Sequence, residues 1–268
     1  MKRIIILGLI LALILGLVGC WVIPEPPVPP PEPPINYPVY RGFFVGVGKY
    51  ENGWTLPSPA TNTALLKQQF EKCKFTEDEI EFIKIDILTN YAATKENILN
   101  GIVSNFGEAD ENDISYFYYM GHGGVYGGTP VITPTDYPLR ITVDELETAL
   151  SSIPGTKVVF LETCHSGNFI DKGEKELFEA FKDNSLDLLN KEGYQVLTSS
   201  KGSEVTWDNT LGSYFCRYLI KGCNNLLADI NKNGIVDLSE LYQYIKSHVS
   251  IQTVQIYPYG STFPIMEY

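Results

Sequence analysis

The sequence is poor in positive charge and in histidine. Lys and Arg number 20 against 32 Asp and Glu, a formal charge of −12, and histidine occurs three times, as His122, His165 and His248. Phosphate binding needs a basic face, so this balance argues against nucleic acid as a partner. Any histidine chemistry has to use one of those three residues. A cysteine-phosphatase loop would need an Arg six residues beyond Cys164, and that position is Ile170. His122, Cys164 and His165 lack a fourth ligand at a recognisable spacing, which argues against a zinc site. No internal repeat is present. The composition is otherwise ordinary, at 44% hydrophobic and 12% aromatic residues, which is enough to bury a core.

The chain opens "MKRIIILGLILALILGLVGC", with two cations, an apolar run from Ile4 to Val18, then Gly19 and Cys20. Charged start, short apolar stretch and small residue spell a secretory signal over residues 1–19. The ending "LVGC" resembles the lipobox of prokaryotic lipoproteins. That resemblance implies that Cys20 becomes the first mature residue and carries the lipid, anchoring an extracytoplasmic protein to a prokaryotic membrane. Residues 20–38 hold nine of the 17 prolines. The fifteen residues from Pro24 to Pro38 favour polyproline II and read as a stiff spacer of about 45 Å. The folded domain is then 39–268, as one unit. Its cysteines other than Cys164 are Cys73, Cys216 and Cys223, which allow one disulfide with the pairing open. Cys216 and Cys223 are poor partners within one helix, because seven residues rise about 10 Å.

From residue 39 strand and helix patterns alternate. "VYRGFFVGVG", "IEFIKIDIL", "ISYFYYMG", "KVVFLETC" and "YQVLTSS" read as strands. "NTALLKQQFEKCK", "TKENILNGIVSNF", "TVDELETALSSI", "EKELFEAFKDNSLDLL" and "LGSYFCRYLIKG" read as helices. Thr142 and Glu145 have capping-box spacing. The nearly continuous aromatic run suits a strand buried on both faces of a parallel sheet. This alternation predicts an α/β fold, a doubly wound, mostly parallel sheet with helices on both faces.

Chemistry in such a sheet lies beyond the carboxyl ends of the strands. The aromatic strand ends in "MGHGG", with His122 at its tip, and "KVVFLETC" ends at Cys164. A histidine within reach of a thiol favours the thiolate and acts as base, which makes these two a nucleophile–base pair. If the strand persists through Cys164, His165 points to the opposite face and is excluded as the base. His248 sits near a helix C-terminus, where a partly positive ring is favourable.

"YFYYMGHGG" and "VVFLETCHSGNF" resemble the two catalytic elements of caspase-like cysteine peptidases, especially metacaspases and prokaryotic caspase homologues. The similarity extends over nearly all of 39–268, through "VGVGKYENGWTLPSPATNTALLKQQF", "ATKENILNGI", "QVLTSS" and "QIYPYGSTFPI". It implies a caspase-like fold and peptide-bond hydrolysis through a thioester. Cys164 is then the nucleophile, His122 the general acid/base, and the N–H groups of Gly123 and Cys164 the oxyanion hole. Glu162 falls on the acidic position that lines the specificity pocket. Relatives with Asp there cleave after Arg or Lys, and those with Glu prefer Asn. The place where metacaspases carry a second pocket Asp corresponds to Thr63. The resulting expectation is an endopeptidase acting on protein or peptide substrates after a basic residue, with Asn second.

"DINKNGIVDLSE" matches a calcium loop. Asp229, Asn231, Asn233, the Ile235 carbonyl, Asp237 and Glu240 fall on positions 1, 3, 5, 7, 9 and 12, with Gly234 at the sixth. The chain is therefore expected to bind Ca²⁺ at 229–240, and to need no organic cofactor. The rival function class is a catalytically silent, calcium-stabilised caspase-fold lipoprotein that binds or signals. Intact His122 and Cys164 speak against it, and Thr63 in place of the pocket Asp speaks for it.

Overall fold

A computed structural model describes residues 37–75, 80–170 and 189–267. The signal segment, Cys20, the proline-rich linker to residue 36 and all but the last residue of the expected helix over 174–189 lie outside the described residues. Among those described, no helix is long and apolar enough to cross a membrane.

The main sheet is built from β1 (Tyr40–Gly46), β2 (Lys74–Phe75), β3 (Ile80–Thr89), β4 (Ile114–Met120), β8 (Thr156–Glu162), β9 (Tyr194–Thr198) and β11 (Gln255–Tyr257). Its order is β11-β9-β8-β4-β1-β3-β2. The five central strands run parallel, and β11 and β2 are antiparallel at the edges. Between β4 and β8 the chain forms a small antiparallel sheet of β5 (Gly123–Tyr126), β6 (Thr129–Ile132) and β7 (Ile141–Thr142). A two-stranded ribbon pairs β10 (Ile235–Asp237) with β12 (Pro264–Glu267).

Alternation along β4 decides what faces which layer. Tyr116, Tyr118 and Met120 enter one buried cluster, whereas Phe117 and Tyr119 enter the other. The first cluster is covered by α1 (Pro59–Phe70), α4 (Tyr214–Cys223) and α5 (Leu238–His248), through Leu66, Phe70, Phe215, Leu219, Leu241 and Ile245. The second is covered by α2 (Lys95–Phe106) and α3 (Val143–Ser151), through Ile98, Ile102, Phe106, Leu146 and Leu150. Each such side chain contributes about 1.5–3 kcal/mol on burial, so both faces of the sheet are held by apolar layers. This is the doubly wound α/β architecture that the strand–helix alternation predicts.

The helix starts follow local chemistry. Thr94 accepts the Asn97 N–H, and Ser213 accepts that of Cys216. Thr142 with Glu145 and Asp237 with Glu240 make complete capping boxes. His248 closes the last turn of α5, its Nδ1 2.8 Å from the Tyr244 carbonyl. At the amino end of the sheet Arg41 and Asp113 form a buried ion pair of 2.6 Å, which ties the start of β1 to that of β4. Removing one partner of such a pair costs about 3–5 kcal/mol, because the other charge is left buried.

Candidate active site

Strands β4 and β8 are parallel neighbours in which Met120 stands opposite Glu162. His122 and Cys164 each follow by two residues, so the register brings both tips to one end of the sheet. Both line a single cavity of about 220 Å³, together with Leu56, Met120, Gly121 and Glu162 from the same end of the fold. Thr206, Trp207 and Asp208, on the chain beyond β9, close its other side.

The His122 backbone is fixed by hydroxyls. Its N–H donates to the Tyr50 oxygen at 2.7 Å, and its carbonyl accepts from the Tyr119 hydroxyl at 2.8 Å and the Thr133 N–H at 2.9 Å. The ring lies 5.0 Å from that of Tyr50 and 5.5 Å from that of Trp54. Burial lowers its pKa below the usual 6.5, so the imidazole is neutral at pH 7 and able to accept a proton.

Cys164 is half-buried, and its Sγ accepts the Thr206 N–H at 3.4 Å. The preceding carbonyl, of Thr163, accepts three hydroxyls, from Thr206 at 2.9 Å, Ser200 at 3.2 Å and Ser199 at 3.4 Å. These hold the turn that presents the sulfur. The strand stops at Glu162, so side-chain alternation does not govern residue 165. His165 instead adopts a left-handed φ of 60°, and its Nδ1 lies 2.8 Å from the Gly202 carbonyl. It does not line the cavity, for this local reason and not for the alternation that the sequence suggested.

Gly123 packs directly on the strand end that carries Cys164. A Cβ there would lie 2.3 Å from Thr163 Oγ1 and 2.7 Å from the Val131 carbonyl, so only glycine fits. Thr133 N–H bonds the His122 carbonyl, which makes Gly123 and Ile132 a non-hydrogen-bonded pair. The Gly123 N–H is therefore turned away from β6.

Glu162 is fully buried. Its carboxylate accepts the Tyr118 hydroxyl at 2.7 Å and the Cys216 N–H at 3.4 Å, with a further hydrogen bond to Ser213. Burial pushes its pKa up to about 7, and the charge of Asp208 adds to that push. Asp208, which sequence reasoning missed, is held by the backbone N–H of Ser58 at 3.2 Å and by the Ser58 hydroxyl. Thr63, the position matched to a second pocket acid, is buried in α1, where its hydroxyl bonds the Pro59 carbonyl. The second carboxylate of the cavity comes instead from the loop after β9.

The 229–240 loop is preordered. Asp229 accepts the N–H groups of Asn233 and Gly234, Asn231 that of Asn233, and Asn233 that of Ile235. Glu240 accepts the N–H groups of Ile230, Asn231 and Asp237. Gly234 has a φ of 86°, as the tight turn requires. Among the described residues no three His, Cys, Asp or Glu side chains converge as a metal cluster. Half the oxygens of this loop come from Asn231, Asn233 and the Ile235 carbonyl.

Cys73, Cys216 and Cys223 are buried, and no disulfide joins any of them or Cys164, so the one disulfide that three thiols allow is not formed. Burial pushes the Cys73 thiol up to about 12 and raises those of Cys216 and Cys223 as well.

A family profile described as "Caspase domain" matches residues 42–262. Among solved structures, a Geobacter sulfurreducens protein from a structural-genomics programme superposes with a TM-score of 0.63 at 17% identity, over 84% of this chain and 94% of that one. Caspase-1 from Spodoptera frugiperda superposes with a TM-score of 0.57 at 14% identity, over 90% and 96%. At such identities the likeness speaks for the fold. No curated relative matches the sequence at a significant level.

Proposed function

We propose that this chain, which belongs to the caspase-domain family of cysteine peptidases, is an endopeptidase working through His122 and Cys164, with preference for Arg or Lys before the scissile bond. The observation that carries the reading is the single cavity lined by His122, Cys164, Glu162 and Asp208. A cationic side chain entering it lays its alkyl stem against Leu56, Met120 and Trp207 and brings its charge to two carboxylates. Asn is the weaker alternative, since a neutral amide uses only the hydrogen bonds of that site.

In the reaction His122 takes the thiol proton and Cys164 Sγ attacks the carbonyl carbon. The N–H groups of Gly123 and Cys164 receive the developing oxyanion. As the C–N bond breaks, the imidazolium gives its proton to the leaving amine. Water, deprotonated by the same imidazole, then cleaves the thioester.

Two further readings accompany this one. The hard, all-oxygen donor set of Asp229, Asn231, Asn233, Ile235, Asp237 and Glu240 suits Ca²⁺, which would cross-link the loop to α5 and to the β10–β12 ribbon. Cys20 is the lipid anchor that holds the domain, through its proline-rich linker, on the extracytoplasmic side of a prokaryotic membrane. Incubating the detergent-solubilised full chain with Arg-, Lys- and Asn-coumarin peptides tests the peptidase reading, with Cys164→Ala as the control.

A further inference from the structure

Beside His122, and outside the lining of the cavity, lies a ledge of rings. Trp54 meets the His122 ring edge-on at 5.5 Å and the Tyr137 ring at 4.9 Å. The Arg140 guanidinium lies 5.6 Å from the Tyr137 centroid and 4.0 Å from that of Tyr126. Trp54 is 48% exposed and Tyr126 62%. Arg140 donates to the Pro138 carbonyl at 3.0 Å and has no carboxylate within ion-pair distance among the described residues. None of these four residues lines the cavity that holds Cys164, and His122 is the residue that the two regions share.

Trp54 and Tyr126 are open to solvent and Tyr137 and Arg140 half-buried between them in the chain of contacts, so the four form a contiguous surface rather than scattered exposure. The chemistry beside it says what crosses it. When the thioester forms, the Sγ–C bond is made and the C–N bond broken, and the amine leaves with the His122 proton. The amine nitrogen must therefore lie against His122. The residues that follow it in the substrate run past that ring, while the acyl side occupies the cavity with Glu162 and Asp208. From the His122 ring the contacts run in turn to Trp54, Tyr137 and Arg140.

We infer that this ledge is the leaving-group subsite: it takes an aromatic side chain directly after the scissile bond, on Trp54 and Tyr137, and a carboxylate one residue further, on Arg140. Aromatic rings prefer another ring, and a guanidinium placed over the Tyr126 ring keeps N–H groups for an anion. The inference rests on the peptidase reading and concerns the half of the substrate which that reading leaves undefined.

Partitioning of the acyl-enzyme tests it. An Arg- or Lys-coumarin peptide acylates Cys164 in the full chain, and added dipeptide amides compete with water for the thioester, the captured peptide being counted by mass spectrometry. Phe-Asp-amide should capture about tenfold more acyl groups than Gly-Gly-amide at equal concentration. Arg140→Ala should erase the advantage of Phe-Asp over Phe-Asn, and Arg140→Glu should turn it into an advantage for Phe-Lys. Tyr137→Ala should reduce the preference for Phe. Coumarin release with equal capture of all amides would overturn the subsite and leave the peptidase reading standing, as would Arg140 variants with unaltered preferences. Absence of any Cys164-dependent coumarin release would overturn both.

Discussion

Asp208 stands close enough to Glu162, across the cavity both line, for its charge to help raise the Glu162 pKa. The two carboxylates arrive by different routes, Glu162 as the last residue of β8 and Asp208 from the loop after β9. They repel each other in the free protein, and a bound cation relieves that repulsion. On the proposed reading, two acids side by side suit a positive side chain better than either would alone.

Glu162→Gln and Asp208→Asn should each lower kcat/KM for Arg substrates roughly ten- to a hundredfold, the range expected for one charge-assisted hydrogen bond. The double variant should lose more than the product of the two, because without Asp208 the Glu162 carboxyl ionises more readily and partly makes up for the single loss. Kinetics on matched Arg and Asn peptides check this, and the Asn peptide should lose much less.

The same carboxyl carries a pH signature. With a pKa of about 7, Glu162 is neutral below that pH, so cleavage after Arg should rise as pH increases through 7. Glu162→Gln should lose that limb and keep those of the His122–Cys164 pair. Stability runs the opposite way. A carboxyl raised from 4.5 to about 7 contributes stability that is full below pH 4.5 and lost as pH rises through 7. The Gln variant should then be more stable than wild type at pH 8, by at most about 3 kcal/mol, and lie within about 1 kcal/mol of it at pH 5. Calorimetry at the two pH values reads this.

Thiol reactivity separates Cys164 from its fellows. Iodoacetamide at neutral pH should label Cys164 in the folded protein and spare Cys73, Cys216 and Cys223, which are buried with raised pKa values. Peptide mapping after labelling identifies the site, and His122→Ala should slow the reaction. Labelling of the buried three at a comparable rate would contradict the packing described.

Tyr50→Phe removes the oxygen that accepts the His122 N–H. A buried donor left unpaired costs about 1–3 kcal/mol. We expect kcat to fall about tenfold or more with KM little changed, since the hydroxyl touches the histidine and not the pocket. Steady-state kinetics distinguish this from a general loss of folded protein.

Calcium at about ten to a hundred times its dissociation constant should stabilise the protein by about 1.4–2.7 kcal/mol. Asp229→Ala should abolish the gain while leaving the metal-free melting temperature close to wild type. A thermal shift with calcium that equals the shift with magnesium would argue against a dedicated site.

Much of this was legible in the sequence because the signals are local. His122 and Cys164 stand just past strands whose apolar runs are plain, and adjacent parallel strands place their carboxyl ends together. The aromatic run of β4 read as buried on both faces and is so. Asp208 was not legible: "TWDNT" has no period, and its place in the cavity depends on β9 lying next to β8, which sheet order alone decides. Thr63 drew attention as a pocket position because it aligns with one, yet its hydroxyl is spent on the backbone of α1. The small β5–β7 sheet and the antiparallel β11 were missed because strands of two to four residues leave too short a pattern. Trp54 reaches His122 through a tight loop, stacking that no local pattern records.

The central claim is that Cys164 and His122 cut peptide bonds after a basic residue. It is tested most directly by turnover of Arg-, Lys- and Asn-coumarin peptides by the full chain, beside Cys164→Ala and His122→Ala. Release from Arg and Lys peptides should exceed release from Asn peptides and disappear in both variants. Release that persists in Cys164→Ala, or none from any peptide with wild type, would contradict it.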